Sequence, residues 1–204
     1  YENHSYATVL IGTQCWFAEN LRNENYNTGA PITTGLSDDT WGTNTDGAVC
    51  VYDEGSYSEA GILATAAILA TYGRLYNGYA VSTGNLCPSG WHVPTDGEYT
   101  TLTDGLGGTS VAGGKMKSSA SDSPAWNGTN TSGFSGLAGG GRVSSGVFVN
   151  GDDDSTPDGY FWSASASAST YGASAWYRKL NGSTTVYRQS GFLQNGNSVR
   201  CIQD

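Results

Sequence analysis

Leu86 to Leu102 reads LCPSGWHVPTDGEYTTL, and this stretch indicates the fold more directly than any other. Thr95 and Glu98 have the spacing of a capping box, in which the threonine hydroxyl accepts from the Glu98 amide and the glutamate reaches back to the Thr95 amide. The spacing predicts a helix that starts at Asp96. Because prolines, a glycine and a cysteine precede this cap, we expect Cys87 to Pro94 to form a rigid strap on the core.

The composition predicts a single domain, residues 1–204, with an uncharged polar surface. The chain has 30 glycines and only 13% charged residues, which is typical of a loop-rich globule. Its net charge of −9 argues against nucleic acid and anionic membranes as partners, since both need clustered Lys and Arg. The longest apolar run, Ala60 to Ala70, is too short to cross a bilayer and predicts a buried helix through Thr71, capped by Ser56 or Ser58.

The remaining pattern predicts an α+β fold. A third helix is expected from Ser110 to Lys117, which gives two or three helices in all. Ala7 to Ile11 reads as a strand that leads into a second strand or a short helical turn, and Arg22 to Gly47 reads as a long irregular loop. The second half of the chain predicts short antiparallel strands at Phe134–Leu137, Arg142–Asn150, Tyr160–Ser165, Ala175–Leu180, Thr184–Arg188 and Ser198–Ile202.

Six further blocks accompany the Leu86–Leu102 stretch in a fixed order: IGTQCWFAENL, YGRLYNGYAV, AGGKMK, GFSGLAGGGR, FWSASA and SVRC. Together with that stretch they resemble the FISUMP family, the Fibrobacter succinogenes major paralogous domain. The resemblance covers most of the chain and implies a fold similar to that of C-type lectins. It implies an architecture and no chemistry.

Four widely spaced cysteines favour disulfides over a metal site, because no C-x-x-C pair is present. Of the three possible connectivities we expect Cys15–Cys50 and Cys87–Cys201. Four buried free thiols are the alternative. Disulfides would place the protein outside the cell or on its surface, or on the surface of a virion. The first residues lack the pattern of a signal peptide, and Tyr1 is not an initiator, so we expect further sequence upstream.

Catalytic groups are few, which predicts a protein that is not an enzyme. His92 lies within the strap among packing residues, and His4 lies near the terminus. Proteins with lectin-like folds also include the formylglycine-generating enzymes, which use a closely placed pair of redox cysteines. This chain lacks such a pair. Glu98, Asp104 and Asp154 show no spacing that indicates a glycosidase pair.

The densest acidic segment is GDDDSTPDG, residues 151–159. Asp152, Asp154, Thr156 and Asp158 alternate, as oxygen ligands do in Ca²⁺ loops, but the glycine position and the bidentate glutamate of an EF-hand are missing. The segment reads as a solvated hairpin loop, with Ca²⁺ as the alternative. No other cofactor is expected.

Residues 161–201 form the candidate ligand-binding region. Strand alternation places Tyr177, Lys179 and Asn181 on one face, which we expect to point away from the core. Tyr, Ser, Asn and Gly recur here, and these residues dominate evolved binding surfaces. The predicted contact residues are Ser165, Ser167, Tyr171, Tyr177, Lys179, Asn181, Tyr187, Gln189, Ser190, Phe192, Gln194 and Asn195.

The same region resembles the variable region of proteins that retroelements diversify, many of which have the C-type lectin fold. The resemblance implies a receptor or adhesin whose partner is a protein on another cell or virus. One alternative is a carbohydrate-binding module in which exposed Trp41 or Trp126 stacks on sugar rings. The other alternative is a purely structural surface module.

Overall fold

The computed structural model describes residues 1–54, 59–151, 157–170 and 172–204, with 59–64 described by their backbone only. Within these residues the chain forms five helices: α1 Asp38–Thr43, α2 Glu59–Tyr72, α3 Gly78–Ser82, α4 Asp96–Gly105 and α5 Thr109–Met116. The first strands are β1 Thr8–Ile11, β2 Gln14–Phe17, β3 Val49–Cys50, β4 Leu75–Asn77, β5 Trp91–His92, β6 Gly141–Arg142 and β7 Phe148–Val149. The later strands are β8 Gly159–Ser167, β9 Ser174–Leu180, β10 Val186–Phe192, β11 Gly196–Asn197 and β12 Ile202–Gln203.

The strands form three sheets, and every pairing between these strands is antiparallel. The strand orders are β1-β2-β12-β5, β10-β9-β8 and β3-β4-β11-β6-β7. The α+β class is thereby confirmed, whereas the expected number of two or three helices is too low. The two helices that sequence patterns missed, α1 and α3, have only six and five residues. At that length periodicity carries little information, and a side-chain cap decides the start, Ser37 for α1 and Asn77 for α3.

The capping box at the start of α4 is confirmed. Thr95 Oγ1 accepts from the Glu98 amide at 3.2 Å, and the Thr95 amide donates to Glu98 Oε2 at 2.7 Å. Tyr99 and Leu102 are buried on the inner face of the helix. In the strap before it, His92 contacts Glu98 Oε1 at 2.9 Å and Asp204 Oδ1 at 2.7 Å, so the strap holds the helix start and the C-terminus together.

The apolar run predicted as a buried helix does form α2, but its position is not the expected one. None of the residues Thr65 to Tyr72 is buried. The run is apolar around the whole helix, so its sequence gives no face that must point inward. Among the described residues, the two main core clusters consist of side chains from the strands, from loops and from α3, α4 and α5. The predicted caps Ser56 and Ser58 lie outside the described residues.

Several predicted strands form with shifted bounds, and three others differ more strongly from the structure. Phe134–Leu137 contains no strand and only an isolated bridge from Gly136 to Lys117. Arg142–Asn150 is a short hairpin of β6 and β7. Of the predicted strand Ser198–Ile202 only Ile202 lies in a strand, β12, and Ser198 to Arg200 are buried. The Arg200 guanidinium is fully buried and donates to Asn20 Oδ1 and to the carbonyls of Phe17, Phe134 and Ser135.

One of the two predicted disulfides is present. Cys87 and Cys201 are bonded, which ties the strap to the residue before β12. The predicted Cys15–Cys50 bond is wrong, and both cysteines are free. Cys15 lies on β2 of the four-stranded sheet and Cys50 on β3 of the five-stranded sheet, so no strand pairing brings them together. Burial raises the pKa of Cys50 to about 12, which keeps it a neutral thiol.

Candidate functional site

The C-terminal sheet, defined as β8, β9 and β10, carries most of the predicted contact residues. β9 is its central strand, and β10 pairs with β9 from Val186↔Leu180 to Phe192↔Ser174. The sheet is anchored in the core by Phe161, Trp162 and Leu180, which are at most 1% exposed. β10 forms an edge of the sheet. The framework of this surface is therefore rigid, while its outer strand faces solvent.

β10 exposes both of its faces. Val186 is buried, but Tyr187, Arg188, Gln189, Ser190 and Phe192 are all exposed. In a strand that lies flat on a core, alternate residues would be buried. Beyond Val186 the strand therefore extends past the core, and its side chains are available on both sides of the sheet. Tyr187 and Phe192 are 37% and 40% exposed, which is high for large aromatic residues.

Tyr177 and Gln189 form the centre of one face. They are directly opposite across β9 and β10, and the Tyr177 hydroxyl donates to Gln189 Oε1 at 2.9 Å. The Tyr177 ring packs edge-on against Trp162 and Tyr160, with centroid distances of 5.9 and 6.0 Å. A half-buried tyrosine with a fixed ring is a suitable anchor, because little side-chain entropy is lost when a partner binds it.

A charged cluster joins this sheet to the start of α4. Arg178 and Arg188 are directly opposite on β9 and β10, an arrangement that would be repulsive without a counter-charge. Asp96 supplies it, accepting from Arg178 Nη1 at 2.8 Å and from Arg188 Nε at 2.9 Å. Burial by itself raises the pKa of Asp96, but the hydrogen bonds from both arginines outweigh it and hold the pKa below its usual range. The helix that the capping box starts is thereby bonded to β9 and β10.

Arg188 was not predicted as a contact residue, although its position favours that role. Its guanidinium lies 3.4 Å from the ring centroid of Trp176, a cation–π stack, and its side chain is 45% exposed. A planar, pre-oriented guanidinium of this kind is common at protein interfaces. A hairpin with its turn near Asn181 and Gly182 would place Arg188 opposite Arg178, but the sequence alone does not give the register of the two strands.

Ser167, Ser190 and Phe192 belong to the second face. Phe192 and Ser167 share a cross-strand row, because both are paired with Ser174 of β9. Between Trp162 and Ala166 the β8–β9 register shifts. The predicted contact residues are thus divided between two faces of one sheet.

Several predicted contact residues lie elsewhere or already have partners. Lys179 is the main correction, because it is only 4% exposed and its Nζ lies 2.9 Å from Asp158 Oδ2. The expectation that it faces away from the core is wrong, since a buried aspartate lies on that side of β9. Ser165 Oγ accepts from the Asp96 amide at 3.0 Å, and Asn181 Oδ1 accepts from the Ser183 amide at 2.9 Å.

Gln194 and Asn195 follow β10 and are half-buried. The carbonyl of Gln194 accepts from Trp41 Nε1 at 2.6 Å, and the Asn195 amide donates to the Phe192 carbonyl at 2.9 Å. These bonds fix the chain just after β10. Tyr171 lies outside the described residues.

The acidic segment offers no Ca²⁺ site within the described residues. Asp158 is 1% exposed and bonded to Lys179 and to the Tyr160 hydroxyl, so it faces inward. Asp152 and Asp154 lie outside the described residues. In the part of the chain that the structure describes, no cluster of three or more His, Cys, Asp or Glu could hold a metal ion.

Both tryptophans of the carbohydrate alternative are buried. Trp41 is 1% and Trp126 is 9% exposed, so the expectation that one of them stacks on sugar from the surface is wrong. Trp41 instead packs against Arg142, whose guanidinium carbon lies 4.4 Å from the centroid of the Trp41 ring. Among the described helices, none has the length and apolar character needed to span a membrane.

The chain matches the sequence model of one protein family. Neither a curated protein nor a solved structure matches the chain. The sequence model of the Fibrobacter succinogenes major domain matches residues 9–203, which is nearly the whole chain and includes the strap, α4 and the C-terminal sheet. The chain belongs to the Fibrobacter succinogenes major domain family.

Proposed function

We propose that this protein is a non-enzymatic binding domain with a C-type-lectin-like fold, and that it contacts its partner through the C-terminal sheet. The observation that carries the proposal is the contrast between β10 and its support. Five residues of β10 are exposed, on both faces, while Phe161, Trp162 and Leu180 behind it are buried. A rigid base with an exposed strand rich in Tyr, Gln and Ser is what a binding surface requires.

The proposed contact residues are those that the structure leaves accessible. Tyr177, Tyr187 and Phe192 would be the aromatic anchors, because aromatic residues contribute most to interface energy. Arg188 joins them, held by Asp96 and Trp176. Gln189 and Ser190 would fix orientation by hydrogen bonds. Lys179 is left out of the proposed surface because it is buried.

The proposed partner is a protein on another cell or virus, and the proposed location is extracellular or cell-surface. The net charge of −9 and the lack of clustered Lys and Arg on β10 disfavour nucleic acid. The Cys87–Cys201 disulfide is consistent with an oxidising compartment. A catalytic role for His92 is disfavoured because each of its ring nitrogens contacts a carboxylate of the chain itself.

We also propose that a retroelement diversifies this surface. Exposed side chains of β10 can change without loss of the fold, whereas the buried residues of β8 and β9 cannot. Sequencing the locus across many cells tests this directly. Adenine-biased substitutions at Tyr187 to Phe192, with Trp162, Leu180 and Cys201 constant, are the expected result. Substitutions spread evenly over the chain, or none, would contradict diversification.

Binding itself needs a separate test, because an undiversified surface could still bind. The purified domain is incubated with intact bacterial cells before and after protease treatment of those cells, and retention is measured. Protease-sensitive retention that falls at least tenfold in Tyr187→Ala and Phe192→Ala is expected. Thr101→Ala, an exposed change on α4, is the matched control. Retention that survives both β10 variants would refute the assignment of this surface.

A further inference from the structure

A large cavity lies apart from the C-terminal sheet and shares no lining residue with it. Its volume is about 700 Å³, within the range of small-molecule sites. Three segments enclose it: residues 18–22 after β2, the exposed helix α2 from Ala67 to Tyr72, and the loop from Ser118 to Leu137. The helix supplies an apolar wall, while the other two segments supply polar groups.

Two buried polar atoms that have no hydrogen-bond partner among the described residues belong to residues of the cavity lining. They are Ser118 Oγ and Arg22 Nε, and Ser118 as a residue is only 2% exposed. Buried polar atoms are almost always paired, because an unpaired one costs about 1–3 kcal/mol. Two such atoms beside one cavity favour a ligand that supplies the missing hydrogen bonds.

The charges of the lining disfavour an anion. Arg22 is paired with Glu19, whose Oε2 accepts from Arg22 Nη2 at 2.8 Å. Asp122 adds a second carboxylate, and its Oδ2 accepts from the Ser119 amide and from Asn130 Nδ2. Two carboxylates against one guanidinium leave the cavity with a net negative charge. The positive charge of the Arg22 guanidinium repels a cation on its side of the cavity.

The remaining groups therefore fit a neutral ligand with both donors and acceptors. Arg22 Nε can only donate, a carboxylate oxygen of Asp122 can only accept, and Ser118 Oγ can do both. Ile68 and Tyr72 on α2 offer an apolar wall to C–H groups. A saccharide combines such hydroxyl groups with an apolar ring face, and one or two rings fit the volume. We propose that this cavity binds a neutral mono- or disaccharide, without Ca²⁺.

The loop wall of the cavity is held in an unusual conformation. Asn130 and Ser135 have φ of 50° and 51°, a region that non-glycine residues seldom occupy. Asn130 Oδ1 accepts from the Ser135 amide at 3.0 Å, and Asn130 Nδ2 donates to Ser135 Oγ at 3.0 Å. These bonds hold the loop so that the Ser118 and Asp122 side chains keep their positions.

The test is a titration of the ¹⁵N-labelled protein, followed by NMR, with glucose, galactose, N-acetylglucosamine and cellobiose in the presence of EDTA. Sodium phosphate serves as the anion probe. Ala67→Phe places a ring into the cavity from α2, and Ala66→Phe makes the same change at the neighbouring position, which does not line it. Ser118→Ala removes a hydroxyl that has no partner within the described chain, so the fold should be retained.

We expect at least one sugar to shift amide signals of Ser118, Asn130 and Thr71, with Ala66→Phe binding as the wild type does. Ala67→Phe should abolish binding, and Ser118→Ala should weaken it about fivefold, the effect of one neutral hydrogen bond. The proposal is overturned if no sugar of the panel shifts these signals, if Ala67→Phe still binds, or if phosphate binds in place of sugar.

Discussion

Loss of the Cys87–Cys201 disulfide should destabilise the fold strongly. The two cysteines are 114 residues apart, so the bond restricts more than half of the unfolded chain. In the chain-entropy model, a loop of that length lowers the entropy of the unfolded state by about 16 cal/mol/K, equivalent to about 4.8 kcal/mol at 25 °C. With an unfolding entropy of about 430 cal/mol/K for a chain of this size, the melting temperature should fall by about 11 °C.

The measurement is urea unfolding and calorimetry of the wild type and of Cys87→Ala/Cys201→Ala. Cys15→Ala is the matched control, since Cys15 is a free, half-buried cysteine. A reducing agent should bring the wild type to the level of the double variant and leave the double variant unchanged. Thiol titration of the unfolded, unreduced wild type should count two thiols, from Cys15 and Cys50.

Two results would refute this reasoning. One is a loss of less than about 1 kcal/mol in the double variant, which would mean that the loop does not restrict the unfolded chain as the model assumes. The other is a count of no free thiols in the unreduced protein, which would restore the Cys15–Cys50 bond. The second result would add a disulfide and so strengthen the case for an oxidising compartment.

Three further predictions concern the strap, α4 and β10. Burial lowers the pKa of His92, but hydrogen bonds from its ring to the Glu98 and Asp204 carboxylates outweigh burial and raise the pKa. The stabilisation is therefore complete below about pH 6.5 and is lost as the pH rises through the raised value. Melting curves from pH 5 to 9 should therefore show a smaller decline in His92→Gln, and equal declines would contradict the linkage. Asp96→Asn should lower the free energy of unfolding in urea by about 2–3 kcal/mol, because it leaves the buried Arg178 without its counter-charge. Asp104→Asn, an exposed change on the same helix, should lower it by less than about 0.5 kcal/mol. Similar losses in the two variants would show that the charge cluster contributes little. Tyr187→Ala should cost under about 1 kcal/mol and Leu180→Ala about 2–5 kcal/mol, and comparable values would mean that β10 is part of the core.

Local chemistry made much of the fold predictable. The start of α4 follows from two side chains three residues apart, and the structure has both of the expected bonds. The β8, β9 and β10 strands follow from runs of β-branched and aromatic residues between turn residues. The exposure of Tyr187 and Phe192 agrees with the predicted contact surface. Such features need only neighbours in the chain, so sequence determines them.

Features that depend on distant partners could not be predicted. Lys179 alternates with Tyr177 as an exposed residue would, yet it is buried because Asp158 lies beneath it. The helix α2 reads as a buried segment, yet none of its residues from Thr65 to Tyr72 is buried. No sequence pattern predicted the positions of Arg188 or of the cavity residues Arg22 and Ser118, because these positions depend on contacts between separate segments of the chain.

By itself the sequence determined the α+β class, the capping box and the strap with its cysteine. These follow from short-range geometry: side-chain spacing, turn chemistry and strand alternation. Only the tertiary structure decided which cysteines pair, which strand residues face solvent, how Asp96 joins α4 to β9 and β10, and that a polar cavity lies under α2. Those outcomes depend on which surfaces meet when the chain closes, and burial then determines the charge, pairing and exposure of each residue.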